Sequence, residues 1–132
     1  MASTEQMTAA VEAYVAAFDK GDPDAAAALF AEDAVVEDPI GSPPHVGQAA
    51  IRAFYAASMQ TGAKLILSGP PRLAPPHLAF PMQVRLNWQG RDMVIDVIDT
   101  MEFNAAGEIR RMQAYFGPAN MSDSSTRSSS DA

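Results

Sequence analysis

One carboxyl group in this 132-residue chain interrupts the apolar face of a predicted strand. Over residues 93–103 the odd-numbered side chains are mostly apolar, and Asp99 lies among them between Val97 and Met101. An ionised carboxyl buried there is costly without a partner, and the usual escape is a raised pKa. A protonated carboxyl can donate a hydrogen bond, which a carboxylate cannot. The alternative is an ion pair with one of the seven arginines, and the residues alone favour neither.

Three other polar side chains occupy positions that the sequence pattern turns inward. Tyr14 and Tyr55 lie on the apolar stripes of predicted helices, where a hydroxyl bonded to a backbone carbonyl is the simpler explanation for each. Asp38 shares a strand face with Val36, although an aspartate before a proline also commonly begins a turn. Two carboxyls and two tyrosines in one apolar domain suit proton abstraction beside a carbonyl, with the oxyanion held by hydrogen bonds.

Other catalytic chemistries have little support in the sequence. His45 and His77 lie in proline-rich loops and lack metal-ligand spacing, so we expect surface histidines and no metal site. The chain has no cysteine, which excludes a disulfide, a Cys₂His₂ zinc site and a thiolate nucleophile. No glycine-rich phosphate loop and no G-x-S-x-G motif is present.

Charge and composition restrict the partners of the chain. Sixteen acidic against nine basic residues give a net charge of −7, which argues against binding to nucleic acid or to an anionic membrane surface. Residues 1–6 have neither the basic nor the apolar region of a signal peptide, and no apolar run reaches the ~20 residues that span a bilayer. We therefore expect one soluble, cytoplasmic domain.

Three helices are predicted in the first half of the chain. The first begins at a capping box formed by Ser3 and Gln6 and ends at Gly21. The second, residues 22–30, begins with an aspartate cap before a proline, and the third covers residues 51–62. The first and third helices would carry the two inward tyrosines.

Most of the remaining chain has the two-residue period of strands. We predict strands at residues 35–38, 64–68, 82–88, 93–103 and 108–116, with loops at residues 40–47 and 69–76. Three helices followed by consecutive strands predict an α+β fold, in which helices cover one face of a curved antiparallel sheet around an apolar cavity. We expect residues 1–121 to form this single domain and the serine-rich residues 122–132 to be a disordered tail.

Over about residues 5–121, the sequence resembles the Δ5-3-ketosteroid isomerases. The resemblance is carried by residues 14–17, 28–34, 36–39, 50–55 and 96–99. It implies a cone-shaped NTF2-like or SnoaL-like fold, with a curved antiparallel or mixed sheet wrapped around three N-terminal helices. The general pattern is common to many proteins of that fold, whereas Asp38, Tyr14 and Asp99 together are specific to the isomerases.

The resemblance also implies a reaction and a role for each residue. Asp38 would be the base that moves a proton from C4 to C6 of a 3-oxo-Δ5-steroid, which yields the 3-oxo-Δ4-steroid without a cofactor. Tyr14 and Asp99 would donate hydrogen bonds to the dienolate oxygen, and a neutral aspartate in that role is an established property of the family. Tyr55 would support Tyr14, and Phe30 removes one hydroxyl that some members have. The family resemblance implies a homodimer as well.

The expected substrate-contacting side chains are mostly apolar. They are Phe54, Phe80, Met82, Trp88, Val97, Met112, Ala114 and Phe116. Two alternatives to an isomerase stay open. One is another SnoaL-like enzyme, such as a polyketide cyclase or dehydratase with a pocket histidine, or an epoxide hydrolase with an Asp-Arg-Asp set to which Arg85 could contribute. The other is a non-catalytic carrier of hydrophobic ligands, which would tolerate loss of Asp38.

Overall fold

Three helices precede most of the sheet in the structure, a computed structural model that describes residues 2–123. The helices are α1 (Thr4–Lys20), α2 (Pro23–Ala27) and α3 (Gln48–Met59). The strands are β1 (Phe30–Glu37), β2 (His45–Val46), β3 (Lys64–Leu67), β4 (Arg72–Ala74), β5 (His77–Trp88), β6 (Arg91–Phe103), β7 (Ile109–Tyr115) and β8 (Met121–Asp123). A short 3₁₀ turn, Pro118–Asn120, separates β7 from β8.

The predicted ends of the first helix are confirmed. Ser3 Oγ accepts a hydrogen bond from the backbone N–H of Gln6 at 3.1 Å, and Gln6 Oε1 accepts one from the backbone N–H of Ser3 at 2.9 Å. This reciprocal capping box satisfies two backbone donors that the first turn leaves unpaired. Gly21 ends the helix in the left-handed conformation, with φ 61°.

The second helix is shorter than predicted. It ends at Ala27, and Phe30 begins β1 instead of closing the helix. The cause is tertiary pairing, because Phe30 is the register partner of Ile109 in β7, and the carbonyl of Leu29 accepts the N–H of Ile109 at 2.9 Å. Pairing of this buried segment with the sheet overrides its local helical pattern.

One mixed sheet organises the described residues. Its main path runs in the order β2-β1-β7-β6-β5-β3, with β4 added to β5 and β8 added to β6. The strands β1 and β7 are parallel, and the other pairs of the described chain are antiparallel. The predicted α+β class with a curved mixed sheet is confirmed.

Three short strands fall where loops or a tail were predicted. Strands β2 and β4 lie within residues 40–47 and 69–76, and their two or three residues are too few to show a two-residue period. Strand β8 includes Ser122 and Asp123 and pairs with β6, so the domain extends past the predicted boundary. The rest of the predicted disordered tail lies outside the described residues.

The orientation of β6 decides which side chains enter the interior. Val97, Asp99 and Met101 are buried, whereas Ile98 on the opposite face is 50% exposed. This alternation confirms that the odd-numbered face points inward, as the pattern predicted. A register shift of one residue would exchange the two faces and expel Asp99 from the core.

The helices α1 and α3 contribute Tyr14 and Tyr55 to the same core, both almost fully buried. At the end of α1, Lys64 Nζ in β3 donates to the carbonyl oxygens of Phe18 and Asp19, at 3.3 and 2.8 Å. A cation at a helix C-terminus is stabilising, and this contact holds β3 to the helix. Within residues 2–123, none of the helices has the length and hydropathy that crossing a membrane requires.

Candidate active site

Among the described residues, Asp99 is the only one with a polar or ionisable side chain, other than tyrosine, that is buried in the core. On β6 it pairs in register with Phe80 of β5 and with Ala114 of β7, so both neighbouring strands present apolar side chains beside it. Neither carboxyl oxygen has a hydrogen-bond partner among residues 2–123, and the ion pairs of that segment do not include Asp99. The expected alternative, a structural ion pair with an arginine, is therefore wrong for the described residues.

The electrostatics at Asp99 favour its protonated form. Burial raises the pKa of this carboxyl well above its usual range, and the nearby carboxylate of Asp38 raises it further. A neutral carboxyl in this position presents an O–H that no described residue accepts. Asp99 is therefore placed to donate a hydrogen bond to a ligand that enters the site.

The two tyrosine hydroxyls bond to each other instead of to backbone carbonyls. Tyr14 donates to the hydroxyl oxygen of Tyr55 at 3.2 Å, and the two rings meet edge to face with centroids 5.7 Å apart. Burial raises the pKa of both hydroxyls well above the usual value, and for Tyr14 the neighbouring Tyr55 and Asp99 raise it further. Both groups thus keep their protons, and a hydroxyl can rotate to serve another acceptor.

Aromatic rings hold this tyrosine pair in place. Phe18 and Phe80 pack edge-on against Tyr14, at centroid distances of 5.5 and 6.5 Å. Phe30 is fully buried with its ring 5.9 Å from that of Tyr55, so position 30 supplies packing and no hydroxyl. Aromatic contacts of this kind contribute about 0.5–1.5 kcal/mol each beyond area burial, and here they restrict the rings that carry the donors.

Asp38 directly follows β1 and is half-buried at the cavity wall. Desolvation by burial raises the pKa of its carboxyl to about 6. The peptide bond between Asp38 and Pro39 is cis, and the turn that follows uses the carbonyl of Pro39, which accepts both the N–H and the hydroxyl of Ser42. A turn therefore does follow Asp38, as the alternative predicted, but within residues 2–123 the Asp38 carboxylate makes no hydrogen bond to it.

A cavity of about 350 Å³ brings these groups together. Its wall includes the predicted Tyr14, Asp38, Tyr55 and Asp99, and the rest of the wall is predominantly apolar. Sequence reasoning omitted nine wall residues, namely Phe18, Ala57, Ser58, Thr61, Ala63, Leu65, Val84, Leu86 and Ile95. The available signals were the alternation along β5 and helical spacing after Phe54.

The eight predicted contact residues divide into two groups. Five lie on the cavity wall: Phe54, Met82, Trp88, Val97 and Phe116. The other three, Phe80, Met112 and Ala114, are fully buried in the core and are absent from the wall of the described cavity. A two-residue period identifies the inward face of a strand but not the depth at which it is covered, so contact of these three residues with a substrate stays a prediction.

The two histidines and Arg85 are absent from the wall of the described cavity. His45 stacks on Phe54, a wall residue, with ring centroids 4.3 Å apart and an interplanar angle of 24°. His77 begins β5 and lines a separate depression of about 520 Å³, which contains none of the four. Arg85 is exposed, as its strand position predicted. Among the described residues, no cluster of three potential metal ligands exists.

Comparisons with known proteins identify the family. A family model described as a SnoaL-like domain matches residues 11–112. A steroid Delta-isomerase of Nocardioides simplex is 39% identical over 119 residues, which cover 88% of this chain and 94% of the relative. A solved structure of SalBIII, described as an epoxide hydrolase/cyclase-like enzyme with a role in pyran ring formation in the polyether salinomycin, superposes with a TM-score of 0.86. It is 20% identical and the match covers 93% of this chain and 99% of that one, so this likeness shows the fold alone. The family match and the isomerase relative confirm the resemblance, and this chain belongs to the SnoaL-like (NTF2-like) family.

Proposed function

We propose that the protein is a steroid Δ-isomerase, which converts 3-oxo-Δ5-steroids into 3-oxo-Δ4-steroids without a cofactor. The observation that carries the proposal is the convergence of two unlike carboxyls in one apolar cavity. Asp38 is half-buried and has no hydrogen-bonding partner among the described residues, whereas Asp99 is fully buried with a strongly raised pKa. Pairs of carboxyls whose environments separate their pKa values divide naturally into a base and a proton donor.

Asp38 is the proposed base. With a pKa of about 6, its carboxyl is mainly ionised at neutral pH and still basic enough to accept a proton. It removes a proton from C4, and the C4–H electron pair forms the C3=C4 bond of a dienolate while the C3 carbonyl oxygen becomes negative. The same carboxyl returns the proton to C6, which restores the C3 carbonyl and leaves the double bond between C4 and C5. Atoms and charge balance without any second reactant.

Tyr14 and Asp99 are the proposed donors to the dienolate oxygen. The Tyr14 hydroxyl, which donates to Tyr55 in the structure, would rotate toward the steroid oxygen and accept a hydrogen bond from Tyr55 in turn. Because the pKa of each donor is raised, both stay protonated as negative charge develops on the substrate. Hydrogen bonds inside a dry apolar cavity are stronger than in water, and loss of one such donor typically costs about 10²–10³-fold in kcat.

The cavity suits a flat, apolar substrate. Its volume of about 350 Å³ lies at the lower end of the ~300–1,000 Å³ that is typical of small-molecule sites. Side chains such as Phe54, Met82 and Phe116 would exclude water and pack on the ring faces. Apart from the two site carboxyls and the two tyrosine hydroxyls, the polar side chains of the described wall are Ser58, Thr61 and Trp88.

A second candidate is another SnoaL-like activity, since the fold is shared with the epoxide hydrolase/cyclase-like SalBIII. That alternative calls for a pocket histidine or arginine, and the cavity wall of the described residues contains neither. A carrier of hydrophobic ligands would use the same cavity but would not require Asp38. The assay below separates these alternatives.

The proposal is tested with 5-androstene-3,17-dione, whose isomerisation is followed as growing absorbance of the conjugated enone. Asp38→Asn should lower kcat by about 10²-fold or more and leave steroid binding intact, because it removes only the base. Asp33→Asn is the matched control, since Asp33 is exposed and away from the cavity, and it should retain full activity. A wild-type protein that binds the steroid without turnover would refute the isomerase and favour the carrier function, and a fully active Asp38→Asn would eliminate Asp38 as the base.

A further inference from the structure

A row of three polar side chains crosses the outer face of the sheet behind the two site carboxyls. Gln113 of β7 pairs in register with Glu37 of β1 and with Thr100 of β6, and all three residues are half-buried. Asp38 directly follows Glu37 in the sequence. Asp99 directly precedes Thr100, so each outer member of the row adjoins a carboxyl. Because side chains alternate along a strand, the row points away from the cavity.

Gln113 is bonded to both of its neighbours in this row. Its side-chain Nε2 donates to Glu37 Oε1 at 3.1 Å, and its backbone carbonyl accepts the hydroxyl of Thr100 in a longer contact of 3.4 Å. The first bond is the stronger one, since its acceptor is a carboxylate. Gln113 therefore connects β1, β7 and β6 at the level of the two site carboxyls.

The base end of β1 has a short attachment to β7. The register between the two strands is interrupted before Val35, so Glu37 is the third and last paired residue before Asp38. Beyond it, the N–H of Ile40 donates to the carbonyl of Ala114 at 2.8 Å. The side chain of Glu37 thus fixes the strand end from which the proposed base projects.

Strand β7 sets the spacing between the base and the proton donor. Ala114 pairs in register with Asp99 on one side, and β1 lies on the other side of β7. Adjacent strands are about 4.7–4.9 Å apart, so the backbones that carry Asp38 and Asp99 are separated by two such steps, roughly 9–10 Å. The base must reach C4 and C6 while the donor reaches the oxygen on C3, and a misplacement of about 1 Å can cost about 10²-fold in rate.

We propose that Gln113 is a positioning residue for the isomerisation: its amide holds the carboxylate of Glu37 and thereby sets the place of Asp38 relative to Asp99. The inference rests on the proposed function, because proton transfer between two fixed carbons of the substrate demands this accuracy. Gln113 is absent from the cavity wall, so its loss should lower kcat and leave KM nearly unchanged. A contact that only stabilised the sheet would change Tm and not the kcat of the folded protein.

The kinetic test exchanges the charge across the pair, with 5-androstene-3,17-dione as the substrate. Gln113→Glu places two carboxylates opposite each other and should lower kcat about 10-fold, with KM within about 2-fold of wild type. Adding Glu37→Gln returns one carboxylate and one amide to the pair in exchanged positions, and this double variant should recover most of the lost kcat. Gln113→Leu, which removes the bond without adding charge, should show a smaller loss of kcat than Gln113→Glu.

Gln83→Glu is the matched control for the charge. Gln83 is half-buried on the outer face of β5 and pairs in register with Asp96, so this variant also opposes two carboxylates, but three residues along β6 from Asp99. It should keep the wild-type kcat. All variants are compared at a temperature where their urea transitions show them to be folded. An unchanged kcat in Gln113→Glu, or a loss that the double variant does not recover, would overturn the inference.

Amide hydrogen exchange tests the same contact without turnover. The N–H of Ile40 reports opening of the turn beside the base, and the N–H of Ser68, which donates to the carbonyl of Pro81 at 3.1 Å, is the reference. Gln113→Glu should speed exchange at Ile40 about 10-fold relative to Ser68, and the double variant should reverse this change. Equal protection of Ile40 in wild type and variants would overturn the inference. The expected exchange pattern in a protein that does not isomerise the steroid would refute the isomerase and retain Gln113 as the residue that positions Asp38.

Discussion

Replacing Asp99 with asparagine should alter how the stability of the fold depends on pH. Asparagine is close to aspartic acid in shape and cannot ionise, so Asp99→Asn removes little besides the titration. In the wild-type protein, burial raises the pKa of Asp99 well above its usual range, while the same carboxyl in the unfolded chain titrates near 3.9. The folded state therefore holds a proton that the unfolded state releases.

The sign and size of the effect follow from this difference. The contribution of Asp99 to stability is fully present below about pH 3.9 and is lost as the pH rises toward its folded pKa. Each pH unit in that interval lowers the free energy of unfolding by about 1.4 kcal/mol. Relative to Asp99→Asn, the wild type should therefore become steadily less stable as the pH rises from 5 toward 7.

Urea unfolding at pH 5, 6 and 7 measures this difference, with the protein concentration held constant in case subunits associate. Asp38 titrates in both proteins, so its own contribution largely cancels in the comparison. Asp33→Asn changes an exposed carboxyl and should follow the wild-type curve. Stability curves of wild type and Asp99→Asn that run parallel from pH 5 to pH 7 would refute a proton held at Asp99 by the fold.

Three further predictions concern catalysis and the cavity wall. Because desolvation raises the pKa of Asp38 to about 6, kcat/KM should rise with pH up to that value and level off above it, and a flat profile from pH 4 to pH 8 would contradict Asp38 as the base. Tyr14→Phe and Asp99→Leu should each lower kcat about 10²–10³-fold. If both residues donate to one oxyanion, the double variant should lose less activity than the product of the two single losses, whereas a fully multiplicative loss would mean independent roles. His45→Ala removes the ring stacked on Phe54 and should destabilise the fold by about 0.5–1.5 kcal/mol, measured by thermal unfolding. His45→Phe keeps an aromatic ring and should retain the stability, and an unchanged Tm for His45→Ala would show that the stack contributes nothing.

Local patterns predicted the parts of the fold that depend on near neighbours. The Ser3 cap, the Gly21 helix end and the inward face around Asp99 each depend on residues a few positions apart, and all three are confirmed. The start of β1 at Phe30 depends on pairing with Ile109, which is remote in the sequence. The local pattern, which predicted that the second helix extends to Phe30, was therefore misleading. The short strands β2, β4 and β8 likewise exist through pairing and have no periodic signal of their own.

The candidate site shows the same division. The types and faces of Tyr14, Tyr55 and Asp99 were visible as polar residues on apolar patterns, but their mutual contacts were not. The hydroxyl pairing of the tyrosines and the missing partner of Asp99 arise from the packing of α1, α3 and β6. The reaction, the residue roles and the homodimer come from the family resemblance, the cytoplasmic location comes from the composition and the first residues of the chain, and all of them stay predictions.

The parallel pairing of β1 with β7 has a consequence for the order in which the protein becomes competent during synthesis. Asp38 is translated early, yet β1 is held in register by a strand made near the end of the domain, with Glu37 opposite Gln113. The N–H of Ile40 also donates to the carbonyl of Ala114 at 2.8 Å. Closing so long a loop has an entropic cost that only the late contacts offset, so it slows folding. A nascent chain that stops before β7 contains all four polar site residues but lacks the strand that positions Asp38.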